Sequence, residues 1–458
     1  MVTQDRLALV NKYDRPVPRY TSYPTVPYWK GIDLKTWDQA VEKCLSEDGQ
    51  ADLSLYVHVP YCRALCAFCG CTKVISRDSS KGPPFVEAVL KELDLKMARL
   101  PRPRFMRELH FGGGTPTWLP APLLEQLIEG IRTRFDVDPK SSPDISIEVD
   151  PRTITHAHVE VLARQKVERV SLGVQDFYEE TLKAIKREQP FERVEEVVQQ
   201  LRAVGLKWIN FDLVYGLPYQ TEATISETID RVVGLKPSRI ALYSYAHIPQ
   251  VKPAQQGVEK HGLPTPVEKR RLYEVARESF LKHGYLEIGM DHFALPTDEL
   301  SIALAQGRLH RNFMGYTVQK TNLLLGLGPS SLSDAWYAFS QNEKEVAAWL
   351  ERVNAGDVSP IGGHLLSDDD LAIRELILEL ICNYRVKLTT TQWENLREKS
   401  VVRDGFVEWN EKTQELLVNE MGKPFIRNIC AEFDAYLSRS SSSSSDAANK
   451  KPIFSRSI

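Results

Sequence analysis

Between residues 53 and about 290 the chain alternates short β-rich runs with amphipathic helical stretches, and nothing else limits its fold as strongly. The runs fall at 53–59, 108–111, 145–149, 169–174, 209–215 and 240–245. Between them, apolar residues recur at helical spacing: Val89, Leu93, Met97 and Leu100; then Leu124, Leu127, Ile128, Ile131 and Phe135. Val194, Val197, Val198 and Leu201 mark a further helix, and Ile225, Ile229, Val232 and Val233 another. Strand–helix alternation of this kind builds a parallel sheet covered by helices. Six units fall short of the eight in a closed barrel. The expected fold class is therefore α/β, a partial, open parallel β/α barrel of about six units.

In parallel α/β folds, ligand sites gather at the carboxyl ends of the strands. The unusual residues of this sequence fall there. They are a cysteine-rich loop after 53–59, Gly112 to Thr117, Glu148 to Arg152, Gln175 to Phe177, and Asp212 with Gly216. Beyond Gly362-Gly363 the pattern changes: Ser367 and Asp370 look like a helix start ahead of an apolar run. The expected organisation is an N-terminal segment (1–50) near the barrel mouth, a barrel with its extension (51–360), a small, mostly helical domain (361–437), and a Ser-rich linker and tail (438–458).

The cysteine loop reads Tyr-Cys-Arg-Ala-Leu-Cys-Ala-Phe-Cys-Gly-Cys from Tyr61 to Cys71, and holds four of the seven cysteines. An odd, clustered count argues against a secreted disulfide framework and for a reducing, cytoplasmic compartment. No signal peptide or membrane-spanning run is evident. A net charge of −3 with interspersed signs offers no basic stripe for nucleic acid. The spacing C-x3-C-x2-C suits an iron–sulfur cluster that keeps one iron open. Four thiolates also suit tetrahedral zinc, although zinc ribbons divide their ligands into separated pairs. A redox pair of Cys66 and Cys69 is a third reading, but it leaves Cys62 unexplained. Cys44, Cys382 and Cys430 are isolated and read as buried, inert thiols.

C-x3-C-x2-C, with aromatic Phe68 before the third cysteine, is similar to the signature of radical S-adenosylmethionine (SAM) enzymes. Further motifs narrow the match. They are Cys71, the opening Pro18-Arg19-Tyr20-Thr21-Ser22-Tyr23-Pro24-Thr25, Gly112-Gly113-Gly114-Thr115-Pro116-Thr117, Gly289-Met290-Asp291-His292-Phe293-Ala294, Leu309-His310-Arg311-Asn312-Phe313 and the closing Phe454-Ser455-Arg456. Together they resemble the oxygen-independent coproporphyrinogen III oxidase (coproporphyrinogen dehydrogenase) family over nearly the whole chain. The serine tract is a local departure.

The resemblance implies an oxidoreductase with one 4Fe-4S cluster on Cys62, Cys66 and Cys69, and two SAM molecules. Cys71 is implied in activity without being a ligand. Tyr56, Gly113, Glu148 and Leu332 would contact the cluster-bound SAM; Phe68, Gly114, Thr115, Gln175, Arg187, Asp212 and Ala246 would surround the second. The implied reaction belongs to anaerobic heme biosynthesis. A 5′-deoxyadenosyl radical abstracts hydrogen from a propionate β-carbon, and loss of carbon dioxide and one electron leaves a vinyl group. Two such rounds convert coproporphyrinogen III to protoporphyrinogen IX. Four substrate carboxylates call for cations, for which Arg19, His310 and Arg311 are candidates, and Asp291 is placed to meet pyrrole N–H groups. An electron-donor protein is the expected partner, and the chain is expected to act as a monomer. The competing readings are a heme-binding, chaperone-like relative with the same cluster loop, radical SAM chemistry on another tetrapyrrole, and a zinc-bound interaction protein. Heme-binding relatives typically lack a cysteine at the position of Cys71 and the Pro-Arg-Tyr-Thr-Ser-Tyr-Pro-Thr opening, both present here.

Overall fold

The computed structural model describes residues 4–48, 51–442 and 452–457. Ser443, Ser444 and Ser445 of the serine tract lie outside the described residues, as do Met1, Val2 and Thr3 at the start. Each of the six apolar runs forms a strand: β1 (Ala51–Val59), β2 (Arg104–Gly113), β3 (Asp144–Val149), β4 (Arg169–Gln175), β5 (Trp208–Tyr215) and β6 (Arg239–Ser244). They pair in sequence order, all parallel. The helical periodicities correspond to α1 (Gly82–Met97), α2 (Ala121–Arg132), α3 (Phe191–Ala203) and α4 (Glu222–Gly234).

The sheet extends beyond these six strands. Leu323–Leu327 pairs in parallel with the free edge of β1, and three antiparallel strands follow it, Leu332–Asp334, Ala338–Gln341 and Gly362–Leu365. At the other edge His292–Ala294 runs antiparallel to β6. The result is one 12-stranded sheet whose two edges do not pair, so the barrel stays open.

Alternation along the strands separates two environments. Leu109, Phe111, Ile147, Leu172, Phe211, Leu213 and Leu242 are fully buried. They belong to the same apolar core as Phe85, Val89 and Leu93 of α1, Leu127 and Ile131 of α2, Val197 and Leu201 of α3, and Ile229 of α4. Each such side chain is worth about 1.5–3 kcal/mol of hydrophobic stabilisation. The intervening positions face inward and are mostly polar.

At the amino ends of the strands a charged cluster closes the interior. Asp298, fully buried, accepts from Arg239 Nε at 2.7 Å and from the Leu300 backbone N–H at 2.9 Å. Arg169 lies 3.8 Å from the same carboxylate and 3.6 Å from Asp144. Removing one partner of a buried pair strands the other charge, at a cost of about 3–5 kcal/mol. Asp298→Ala should lose that much stability in chemical denaturation, and a loss below 1 kcal/mol would contradict it.

The first part of the N-terminal segment packs on the C-terminal region, whereas its helix Leu34–Asp48 packs on the main sheet. Tyr13, Tyr20 and Tyr23 share a core with Leu380, Phe406 and Phe425. The helix start at Ser367 is a capping box: Ser367 Oγ accepts from the Asp370 N–H at 3.2 Å, and Asp370 accepts from the Ser367 N–H at 3.0 Å. The helices here surround a three-stranded antiparallel sheet, Arg385–Lys387, Glu415–Val418 and Val407–Asn410. The tail folds back on the N-terminal segment. Arg456 bridges Pro16, and Arg427 donates to the carbonyls of Pro18 at 3.0 Å and Arg456 at 2.9 Å.

Candidate active site

The inward faces of β2–β6, together with the cysteine loop that follows β1, line a cavity of about 600 Å³. The cysteine loop forms one wall because β1 runs straight into it. Tyr61–Cys62 pairs in parallel with Val74–Ile75, which fixes both ends of the loop. Its middle is held by Ala67 N–H donating to Ile185 O at 2.9 Å and by Gln255 Nε2 donating to Phe68 O at 3.0 Å. Tyr61 stacks on Trp118 with ring centroids 4.3 Å apart, seating the loop on the apolar core.

The glycine run explains itself sterically. Gly113 has φ +104°, and a Cβ there would stand 2.5 Å from the His58 ring. A Cβ on Gly114 would stand 2.7 Å from Tyr61 O. Without side chains the turn lies against the loop, with Gly114 N–H donating to Val59 O at 2.8 Å and Thr115 N–H to Tyr61 O at 2.9 Å. Gly113 N–H in turn donates to Glu148 at 3.0 Å.

Each of the three spaced thiols has a hydrogen-bond donor. Thr115 Oγ1 reaches Cys62 Sγ at 3.4 Å, Arg152 Nη2 and Arg187 Nη1 both reach Cys66 Sγ at 3.4 Å, and Cys71 N–H reaches Cys69 Sγ at 3.4 Å. Hydrogen bonds from Cys71 lower the Cys69 thiol, whereas burial pushes the Cys62 thiol up to about 11. Among the described residues no group of three or more His, Cys, Asp or Glu side chains stands in position to hold a metal ion. An all-sulfur set with donors at every sulfur fits a cluster, which is far larger than one ion and whose potential such donors tune.

Behind the thiols the inward positions supply the polar lining: His110 on β2, Ser146 and Glu148 on β3, Ser171 and Gln175 on β4, Asn210 and Asp212 on β5, and Tyr243 on β6. Asp212 accepts from Ser171 Oγ at 2.7 Å and Asn210 Nδ2 at 2.9 Å, yet burial still pushes its carboxyl up to about 6. Burial works against ionisation of Asp150 too, but Arg187 and Arg152 outweigh it and hold that carboxyl low. Arg187 Nε is buried without a hydrogen-bond partner.

Of the residues named from sequence, Cys62, Cys66, Phe68, Cys69, Cys71, Gly113, Gly114, Thr115, Glu148, Gln175, Arg187, Asp212 and Ala246 all line this cavity. Tyr56 stands behind it, stacked on His110 at 5.9 Å and edge-on to Phe313 at 5.3 Å. Leu332 lies on the sheet extension, paired with Gln341. The four substrate candidates lie outside the lining. Arg19 pairs with Asp291, which also meets His292 at 2.6 Å. Arg311 donates to the carbonyls of Arg19 at 3.0 Å and Tyr20 at 2.9 Å. Burial drives the His310 imidazole down to about 4, so it is neutral near pH 7. Sequence reading missed His110, Asn210 and Tyr243. Their signal was a polar residue at every second position of otherwise apolar strands.

The chain matches the model of the Radical SAM superfamily over residues 56–232. It is 37% identical to the oxygen-independent coproporphyrinogen III oxidase of Escherichia coli (strain K12), covering 94% of this chain and 95% of the other. The enzyme of the same name from Pseudomonas aeruginosa is 35% identical over the same shares. The solved structure of coproporphyrinogen III oxidase (HemN) from Escherichia coli, described as a radical SAM enzyme, superposes with a TM-score of 0.85, covering 94% of this chain and 98% of that one. Likeness of that extent, running through the N-terminal segment and the C-terminal region as well as the barrel, is more than a shared superfamily core, and this chain belongs to the oxygen-independent coproporphyrinogen III oxidase family of radical SAM enzymes.

Proposed function

We propose that this chain decarboxylates two propionate side chains of coproporphyrinogen III to vinyl groups, giving protoporphyrinogen IX without oxygen. The observation that carries the reading is the loop of three donor-supplied thiols facing a cavity lined by the inward residues of five successive strands. Cys62, Cys66 and Cys69 would hold the 4Fe-4S cluster, and the cavity would take two SAM molecules. When bound, these cofactors supply the electron and the hydrogen-abstracting radical that start each decarboxylation.

The chain's own residues bind, orient and shield. The Gly113–Thr115 turn offers close backbone approach, and Glu148, held by the Gly113 N–H, is placed to accept from an ammonium group or ribose hydroxyls. Tyr56 supports that region through His110. Arg187, which lines the cavity, suits a carboxylate, and Asp212 suits hydroxyls or an ammonium group. Enclosure by the strands keeps a reactive carbon radical from water and stray side chains. Cys71 is exposed on the same loop and would act without ligating iron. Arg19 is the substrate contact most readily redirected to a propionate. It already lies over Tyr243, a cavity residue, at 5.7 Å, and its partner Asp291 keeps His292 when it leaves.

Among the described residues no helix is long and apolar enough to cross a membrane. The reading places the enzyme in the cytoplasm as a monomer served by an electron-donor protein. Anaerobic reconstitution with iron and sulfide, followed by coproporphyrinogen III, SAM and dithionite, should give protoporphyrinogen IX and two equivalents of carbon dioxide. Heme binding without decarboxylation would instead identify a heme-handling relative.

A further inference from the structure

The cysteine loop has a second side. Residues 62–64, 66, 68–71 and 73 line the cavity, while Leu65, Ile75, Arg77 and Lys81 stand exposed outside that lining. Ile75 is the strand partner of Cys62, so this surface lies one strand spacing, about 5 Å, from the backbone of a proposed cluster ligand. Leu65 and Ile75 are 39% and 44% exposed, apolar residues on a face with no partner among the described residues. Outside the lining, the stretch from Val74 to Lys81 carries two cations, Arg77 and Lys81, and one acid in a chain whose net charge is −3. That acid, Asp78, is occupied by Ser80, accepting its N–H at 3.1 Å and its hydroxyl at 2.6 Å. Neither Arg77 nor Lys81 forms a salt bridge among the described residues.

We propose that this face is where a small acidic one-electron carrier protein docks to reduce the cluster, an inference that rests on the cluster reading above. One electron leaves the carrier's reduced flavin or iron–sulfur centre and enters the cluster; no bond is made and no proton moves. Cavity ligands would cover the inner side of the loop, which leaves the outer side as the shortest open approach. The apolar pair supplies the dry contact, and the surrounding cations steer an acidic partner.

The test compares two reductants on the reconstituted holoenzyme, reading the bleaching of cluster absorbance in stopped flow. Reduced flavodoxin serves as the acidic protein probe and dithionite as the small-molecule control. Arg77→Glu with Lys81→Glu should slow reduction by flavodoxin about tenfold or more at low ionic strength and flatten its salt dependence, with the dithionite rate unchanged. Arg77→Lys with Lys81→Arg, which keeps both charges, should restore the wild-type rate. Reduction of the reversed variant by flavodoxin at the wild-type rate, or equal slowing with both reductants, would overturn the docking face while leaving the cluster reading intact. No bleaching of the wild type by dithionite would overturn both.

Discussion

Cys66→Ala should abolish the cluster and lower turnover by a factor on the order of 10³ or more. The Cys66 thiol is buried at the meeting point of two guanidinium groups, Arg152 and Arg187, each 3.4 Å from the sulfur. An alanine leaves those cations without their sulfur acceptor and leaves only two of the three spaced thiols. Asp150 keeps the arginines in place, 2.6 Å from Arg152 and 3.5 Å from Arg187, so the fold should survive and the defect stay local. Iron and acid-labile sulfide per chain, measured after anaerobic reconstitution, should fall to background. Cys71→Ser provides the contrast. Cys71 is exposed and reaches Cys69 through its backbone N–H, which serine retains. That variant should hold full iron and sulfide while losing activity. A Cys71→Ser protein without its cluster would make Cys71 a ligand, and a Cys66→Ala protein with a full cluster would dismantle the three-thiolate site.

How far the sequence discloses such a site depends on how local its signal is. The six parallel strands were readable because short β-rich runs alternate along the chain with apolar residues at helical spacing. The cysteine loop was readable because its ligands lie within a single segment. Leu323–Leu327 escaped notice although it extends the same parallel sheet. A leucine-rich run without β-branched residues carries no clear strand preference. The inward lining was half legible. Glu148 and Asp212 stood out as acids in apolar strands, whereas Asn210 and His110 acquire meaning only through the register that sets Asn210 beside Ser171 and His110 beside Ser146.

Distance along the chain hid the rest. Arg311 reads in sequence as a cation for a substrate carboxylate; in space its Nη1 donates to the carbonyls of Arg19 and Tyr20, almost 300 positions earlier, while its Nε has no hydrogen-bond partner. The same contact makes the Pro-Arg-Tyr-Thr-Ser-Tyr-Pro-Thr opening part of the barrel's neighbourhood. Arg311 fixes its backbone, and the Arg19–Asp291 pair carries its side chain to the cavity wall at Tyr243. The motif is thus informative in sequence because three distant segments converge on it in space.

Asp212→Asn should uncouple stability from activity, raising one and lowering the other. Burial pushes the Asp212 carboxyl up to about 6, outweighing the stabilising hydrogen bonds from Ser171 and Asn210. A carboxyl raised above its unfolded value of 3.8 favours the fold fully when protonated, and that contribution is lost as pH rises from the unfolded value through 6. At neutral pH the native protein therefore carries an ion it would hold more comfortably as the neutral acid. Two pK units correspond to about 3 kcal/mol at most, and the partial exposure of Asp212 to the cavity reduces this to about 1–2 kcal/mol. Asparagine is neutral at every pH and matches the shape. Its carbonyl accepts from Asn210 Nδ2, and its amide donates to Ser171 Oγ. The variant should melt a few degrees higher than wild type at pH 7.5, with the difference shrinking toward pH 4.5. Turnover should move the other way. Losing a charge-assisted acceptor for SAM hydroxyls or ammonium should lower kcat/KM about a hundredfold, with KM for SAM bearing part of the loss. Equal melting temperatures across the pH range would show that the fold does not bear the cost of this acid. Full activity would remove Asp212 from the proposed SAM contacts. A protein that keeps such a costly carboxylate at the centre of its cavity is best explained by the ligand that the carboxylate receives.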